Sequence, residues 1–331
     1  MKRTETIQSL DVINVLGDAR RVEILRLLMN EAATLSQLGR IMNMHPAKIR
    51  HHLKQLEKVG LVAFVFSREV RGFIEKYYQA TAQAYFLNYA VLPKPSEQGT
   101  IFALGSHDLA LELLAVHLGQ DSRTPNLVAL PVGSLHGLIA LRQGFCQLTG
   151  CHLFDPAGGE YNTSYVRLLF PGKKMHVVTL VHREQGLLVA QGNPQRVRGI
   201  EDIVGKDLTF INRKQGSGTR LWLDQQIASL GVETTHIRGF DREVSTHFQV
   251  AKAILKGDAD FGLGVLAVAH QFNIDYIPLF EERFDLVIPN DHFQDPLLAP
   301  VIETIHDKKF KQAVSELRGY DTTHTGNHLP I

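Results

Sequence analysis

Three stretches between residues 101 and 230 place small hydroxyl residues where an apolar run gives way to a helical pattern. Ile101-Phe-Ala-Leu-Gly105 leads to Ser106 and a helix expected over 109–118. Residues 127–132 lead to Gly133-Ser134 and a helix over 135–148. Residues 207–211 lead to Asn212-Arg-Lys-Gln-Gly-Ser-Gly-Thr219 and a helix over 220–230. At a helix start the unpaired backbone N–H groups and the positive end of the dipole point the same way, so each unit suits an anion. One serine there is usually only a cap. Three such units, one of them glycine-rich, point to an anion held between helix N-termini. Gly216-x-Gly218 lacks both the Gly-Lys-Ser/Thr of a phosphate-binding loop and the full dinucleotide fingerprint, which argues against nucleotide chemistry. No carboxylates are paired for acid–base work and no Ser/His/Asp order stands out. Glu281-Glu282 reads as a solvated turn, and His107 and His247 read as structural. Cys146 and Cys151 are the only cysteines and make no disulfide framework. The expectation is binding and not catalysis, with no cofactor and no metal.

A different chemistry is carried by residues 46–59. Ile49, Leu53, Leu56 and Val59 share one face of a helix that starts at Pro46, while Lys48, Arg50, His51, Lys54, Gln55 and Lys58 lie away from it. An apolar stripe for anchoring with donors opposite is what a major-groove reader needs. Residues 61–66 and 73–78 read as two strands. Arg68 and Arg71 sit at the turn between them, placed to touch phosphates or the minor groove. Charge is uneven in the same sense: residues 1–90 carry a net +5 and the remainder a net −4. A basic head on a mildly acidic body suits a DNA-binding module fused to something else.

The elements that must position these residues follow from periodicity. Upstream of the basic helix come a helix over 7–16, a second capped by Asp18, and a third capped by Thr34. Residues 92–99, Leu-Pro-Lys-Pro-Ser-Glu-Gln-Gly, break every pattern and read as a linker. Strands and helices then alternate, which predicts an α/β body. The expected domains are 1–92, a linker over 93–100, a ligand domain over 101–320, and a flexible polar tail over 321–331. A hydrophobic content of 44% is enough for real cores. No apolar run approaches the roughly 20 residues of a membrane helix, and the first residues lack an apolar signal core. A cytoplasmic protein with no membrane partner is expected.

Two resemblances sharpen this reading. Leu16-Gly-Asp-Ala-Arg-Arg-Val-Glu-Ile-Leu-Arg-Leu-Leu28 and His51-His-Leu-Lys-Gln-Leu-Glu-Lys-Val-Gly-Leu-Val62 resemble the opening and recognition-helix signatures of ArsR-type winged helix-turn-helix repressors. The likeness covers roughly 7–90. It implies double-stranded DNA as partner and a homodimer formed by the first helix and a helix after the wing over 80–92. The paired cysteines of the metal-sensing members are missing from Leu35-Ser-Gln-Leu-Gly-Arg-Ile-Met42, so the signal must be read elsewhere. Gly105-Ser-His-Asp108, Asn212-Arg-Lys-Gln-Gly-Ser-Gly-Thr-Arg220, Glu243-Val-Ser-Thr-His-Phe-Gln-Val-Ala-Lys-Ala-Ile254 and Gly257-Asp-Ala-Asp-Phe-Gly-Leu-Gly264 resemble type II periplasmic-binding-protein domains, above all those binding tungstate and molybdate.

That second likeness implies a two-lobed α/β domain, with one lobe at about 101–185 plus 280–320 and the other at about 190–275. It also implies a ligand set of Ser106 and Ser134 from the first lobe and Arg213, Ser217 and Thr219 from the second. Ser245, Thr246 and Gly264 are further candidates, while Arg220 reads as a helix-surface charge. The function implied is a one-component transcription regulator sensing molybdate or tungstate. The alternatives are a molybdenum-related cofactor or other small organic anion as ligand, or an enzyme of molybdenum-cofactor metabolism.

Overall fold

Asp18 separates the first two helices because its side chain accepts the Arg20 N–H that a helix start leaves unpaired. Such local decisions build the N-terminal part of a computed structural model that describes residues 5–7, 9–70, 72–87, 98–205 and 208–331. Two compact units result, Met1–Pro93 and Lys94–Ile331.

The smaller unit runs β1 (Glu5–Ile7), α1 (Leu10–Leu16), α2 (Ala19–Asn30), α3 (Leu35–Ile41), α4 (Pro46–Lys58), β2 (Val62–Val70), β3 (Phe73–Ala80) and β4 (Tyr85–Leu87). Thr34 and Gln37 form a reciprocal capping box on α3. Pro46 opens α4 where no N–H is needed. Ile24, Leu28, Leu38, Ile49, Leu53 and Leu56 are buried together, so the apolar stripe of α4 faces the core. β2 and β3 form an antiparallel hairpin from Val62↔Ala80 to Val70↔Phe73.

The dimer helix expected over 80–92 is not what forms. β3 runs to Ala80, and Tyr85–Leu87 is a strand paired in parallel with β1. The Tyr85 hydroxyl explains the departure: it donates to the Leu61 carbonyl at 2.8 Å and accepts the Ala82 N–H at 3.0 Å, tying the chain to the end of α4. Ile7 likewise belongs to β1, so the first helix begins at Leu10. Residues 88–92, the linker residues 93–97 and Arg71 lie outside the described residues. Thr100, placed in the linker from the sequence, already belongs to a strand.

The larger unit opens with β5 (Thr100–Gly105), α5 (Leu109–Gly119), β6 (Asn126–Pro131), α6 (Ser134–Arg142) and β7 (Thr149–Cys151). The pair β8 (Phe154–Asp155) and β9 (Glu160–Tyr161), then α7 (Thr163–Leu169), lead to β10 (Met175–Val189). Next come α8 (Asp202–Gly205), β11 (Phe210–Arg213), α9 (Gly218–Ser229), β12 (Glu243–Val244), α10 (His247–Leu255), β13 (Phe261–Val265) and α11 (Leu266–Phe272). β14 (Asp275–Pro289), α12 (Asn290–Phe293), α13 (Ala299–His306), α14 (Lys308–Ser315), β15 (Tyr320–Asp321) and β16 (His328–Pro330) complete it.

β5 and β6 pair in parallel. The main sheet has the order β12-β11-β13-β10-β14-β7, with β15 and β16 also on β10. The long antiparallel strands β10 and β14 organise this unit. Their 175–183 and 281–289 halves carry β7, β15 and β16, while the 185–189 half of β10 carries β13. The change of partners falls at Arg183–Gln185 opposite Phe280–Glu282, where the register also slips.

The C-terminal residues and the Glu281-Glu282 pair both depart from expectation. The tail over 321–331 is not frayed: β15 and β16 pair with β10, and the buried Thr325 donates to the Leu180 carbonyl at 2.8 Å. Glu281-Glu282 is no solvated turn. Both lie within β14, and Glu282 is buried because the sheet supplies its partners.

Candidate functional site

Three helix N-termini meet where β10 and β14 change partners. Ser106 precedes α5, Ser134 begins α6, and Ser217 caps α9 by accepting the Arg220 N–H. Ser106 Oγ and Ser134 Oγ lie 3.0 Å apart. The Leu135 N–H donates to the Gly216 carbonyl at 3.1 Å, joining the α6 and α9 loops. Gly216 has φ +83°, which a side chain rarely tolerates, and a Cβ there would strike the His136 ring. Gly216 thus leaves room for the His136 ring, while Gly133, whose Cβ would lie 3.0 Å from the Gly216 carbonyl oxygen, lets the two backbones approach.

The residues beneath these hydroxyls are ones that no sequence motif marks. His152 Nε2 lies 3.0 Å from Ser106 Oγ, and His152 Nδ1 lies 2.7 Å from Glu282 Oε2. Glu282 Oε1 accepts from Arg183 Nε at 2.6 Å and from Gln185 Nε2 at 2.7 Å. Gln185 Nε2 also donates to Thr219 Oγ1 at 3.0 Å. Arg183 reaches on to Asp108, whose carboxylate caps α5 and accepts from the Tyr320 hydroxyl at 3.0 Å. Burial pushes the Glu282 carboxyl up, but His152 and Arg183 outweigh it and hold it at about 2. Burial keeps the His152 imidazole below its ordinary value despite Glu282. The signal in the sequence was the polar string His182-Arg-Glu-Gln185 inside a largely apolar strand.

Arg213 is the other unusual group. β11 extends to this residue, so the side chain expected on a loop enters the sheet and is only 2% exposed. No carboxylate pairs with it among the described residues. Its Nη2 donates to the Ser245 carbonyl at 3.0 Å, while Nη1 lies 2.7 and 2.8 Å from the two ring nitrogens of His247. Those near-equal distances place Nη1 against the ring and not along one lone pair. Its Nε is buried without a hydrogen-bond partner. Burial, then repulsion from Arg183, pushes the guanidinium down to about 9. Burial and the charges of Arg213 and Arg183 hold His247 well below its ordinary range. Arg220 is different: Asp224 and Glu243 each lie 2.7 Å from it, so its charge is already answered.

The remaining candidates separate. Thr246 caps α10 and, with Ser106, His107, Asp108 and Phe248, lines a cavity of about 240 Å³. That volume lies below the roughly 300–1,000 Å³ typical of drug-sized sites and suits a small ligand. Ser245 contributes its carbonyl to Arg213. Gly264 belongs elsewhere: it pairs with Gly186 in β13, and a Cβ there would lie 2.5 Å from Leu188 Cδ1. Its smallness serves packing, so it leaves the ligand set.

In the smaller unit Lys48, Arg50, His51, Lys54 and Lys58 are exposed along α4 and Gln55 is half-buried. Arg68 is exposed on β2, opposite Glu75.

Fold and site define a helix-turn-helix regulator joined to a binding-protein-like ligand domain. Residues 116–306 match the PBP superfamily domain, and residues 18–63 match the bacterial regulatory protein, arsR family. The chain belongs to the PBP superfamily and carries an ArsR-type DNA-binding module ahead of that domain. The uncharacterised protein YvgK of Bacillus subtilis (strain 168) is 34% identical over 223 residues, 67% of this chain and 71% of its own. An uncharacterised protein in the ferredoxin 2Fe-2S gene 5' region of Clostridium pasteurianum is 36% identical over 105 residues, 31% of this chain and 93% of its own. Among solved structures, a phosphate ABC transporter substrate-binding protein of Clostridium perfringens with bound phosphate gives a TM-score of 0.52. Its identity is 11%, with 66% of this chain and 97% of that chain covered, so the likeness is one of fold. No helix among the described residues is long and apolar enough to cross a membrane.

Proposed function

We propose that this regulator senses a small oxyanion, molybdate or tungstate first, and that the anion changes how its ArsR-type module engages double-stranded DNA. The observation that carries this reading is Arg213: a buried guanidinium with an unpartnered Nε and, among the described residues, no carboxylate within ion-pair distance, close to hydroxyl-bearing helix starts. A buried charge left unpaired is costly unless something supplies the opposite charge, and an anion does so. The proposed ligand set is Arg213, Ser106, Ser134, Ser217, Thr219 and Thr246, with Ser245 holding the arginine. The proposed DNA set is Lys48, Arg50, His51, Lys54, Gln55, Lys58, Arg68 and Arg71. A cytoplasmic homodimer fits this role.

Binding, not turnover, is the reading we favour. Ser106, His152 and Glu282 do have the order of a nucleophile, base and carboxylate. Yet Ser106 is buried and its oxygen is also bonded to Ser134. Ester hydrolysis abolished by Ser106→Ala would reverse this reading.

Calorimetry with molybdate and tungstate tests the assignment. The wild type should bind one anion per chain. Arg213→Met should bind roughly tenfold to a hundredfold more weakly, from about 1.5–3 kcal/mol for hydrogen bonds to a charged group. The unliganded variant should melt no lower than the wild type, because an unpaired buried charge has gone. No binding at millimolar anion to folded wild-type protein, or undiminished binding by the variant, would overturn the assignment.

A further inference from the structure

Counting the protons beneath the site constrains how Ser106 and Ser134 can meet a ligand. Glu282 Oε1 is occupied by Arg183 and Gln185, which leaves Oε2 for His152. A carboxylate only accepts, so His152 Nδ1 carries a proton. In the neutral imidazole Nε2 is then a lone pair. Ser106 Oγ, 3.0 Å away, must therefore donate its single proton to Nε2. Ser134 Oγ, 3.0 Å from Ser106 Oγ, must donate its own proton to Ser106, while accepting the His152 backbone N–H at 3.3 Å. Both hydroxyl protons are consumed inside the network. Toward a ligand these two oxygens present lone pairs only, and a fully deprotonated oxyanion brings only more lone pairs.

We propose that His152 sets the hydrogen-bond direction of Ser106 and Ser134, and that binding an acceptor-only oxyanion takes up a proton at its Nε2. This rests on the oxyanion reading above and adds to it. With Nε2 protonated, the bond reverses: Nε2–H donates to Ser106 Oγ, and at least one hydroxyl proton of the Ser106–Ser134 pair turns to the anion. No covalent bond forms or breaks apart from that N–H, and the proton comes from solvent.

The surroundings of His152 suit a proton that arrives with an anion. Glu282 of β14 faces its Nδ1 and favours the imidazolium, while Arg183 of β10 and Arg213 of β11 oppose it. His247 of α10 lies within electrostatic reach, and the Phe284 ring stacks at 5.7 Å without charge. Without ligand, burial and the two arginines keep the ring neutral. A bound dianion offsets the arginines and tips the balance. His152 is a positioning residue: it acts on the ligand through Ser106. It thereby selects for ligand protonation state, because with His152 neutral the hydroxyl pair favours a ligand that brings its own donor.

The test is calorimetric titration of the full-length chain with molybdate, in two buffers of different ionisation enthalpy and at several pH values between 6 and 8. The expected result is an enthalpy that changes with buffer by close to one proton taken up. The dissociation constant should weaken by up to about tenfold per pH unit as pH rises. His152→Gln, whose side chain cannot gain a proton, should bind with buffer-independent enthalpy and a flat pH profile. If that variant fails to fold, Ser106→Ala serves instead, since with no hydroxyl to turn at 106 uptake should fall. Tight binding by the wild type with no buffer dependence, or uptake undiminished in His152→Gln or Ser106→Ala, would overturn the inference and leave the oxyanion reading standing. Absence of molybdate binding altogether would instead remove the oxyanion reading itself.

Discussion

At the scale of single residues, two buried cations do different work. Arg183 is matched by Asp108 and Glu282 and holds the two strand halves to the α5 cap. Arg213 has no such ion-pair partner among the described residues and leans on a neutral His247. This difference has a consequence for pH. His247 and His152 are both held below their ordinary 6.5, chiefly by burial. Above that pH they are neutral whether the chain is folded or unfolded. Below it the unfolded chain takes up protons that the folded chain refuses, so stability falls as pH falls toward the folded values. Asp285, whose carboxyl burial pushes up, works in the opposite sense at lower pH. Thermal melts of unliganded protein from pH 7.5 to 5.5 should show a falling midpoint, and Arg213→Met should show a smaller fall. A midpoint that rises over this range would contradict the neutral-histidine assignment. The helix starts that carry Ser106, Ser134, Ser217 and Thr219 were legible in the sequence because a helix start is a local event. His152 and Glu282 were not, because they stand 130 residues apart and only sheet pairing brings them together.

At the scale of elements, local chemistry was a good guide to capped helix starts and a poor one to helix ends and strand edges: the helix expected over 135–148 stops at Arg142. The caps at Asp18 and Thr34 and the proline at α4 mark helices that form as expected. The stretch after the wing carries enough apolar residues to read as a helix, yet the Tyr85 hydroxyl and the edge of β1 make it a strand. The tail looked too polar to order, but its backbone completes the free edge of β10. The proposed DNA-reading element is α4, held by Ile49, Leu53 and Leu56 with its basic side chains outward. Lys54→Ala should weaken DNA binding and lower its dependence on salt by about one unit of the logarithmic slope. Removing Arg50, His51 and Lys54 together should lower both further while leaving the fold intact, since all three are exposed. Unchanged affinity and salt slope in the triple variant, measured by fluorescence anisotropy, would rule out α4 as the reading helix.

At the scale of the whole molecule, the sequence announced two units through charge asymmetry and a proline-broken linker, and the fold has two compact units. Under the proposed function they are parts of one switch. Exposed Leu10, Phe86 and Leu87 in the smaller unit fit a surface for a second copy. Light scattering at micromolar concentration should therefore give a dimer, and a monomer would contradict that part. Coupling between units is a free energy that runs both ways: if the anion alters DNA affinity by some factor, DNA must alter anion affinity by the same factor. The most direct measurement is fluorescence anisotropy of a DNA site selected by the full-length protein from a random pool, titrated with and without saturating molybdate or tungstate. DNA affinity should shift by roughly fivefold or more, in line with typical coupling energies, and the shift should disappear in Arg213→Met. Identical DNA affinity with and without an anion that calorimetry shows to be bound would contradict it.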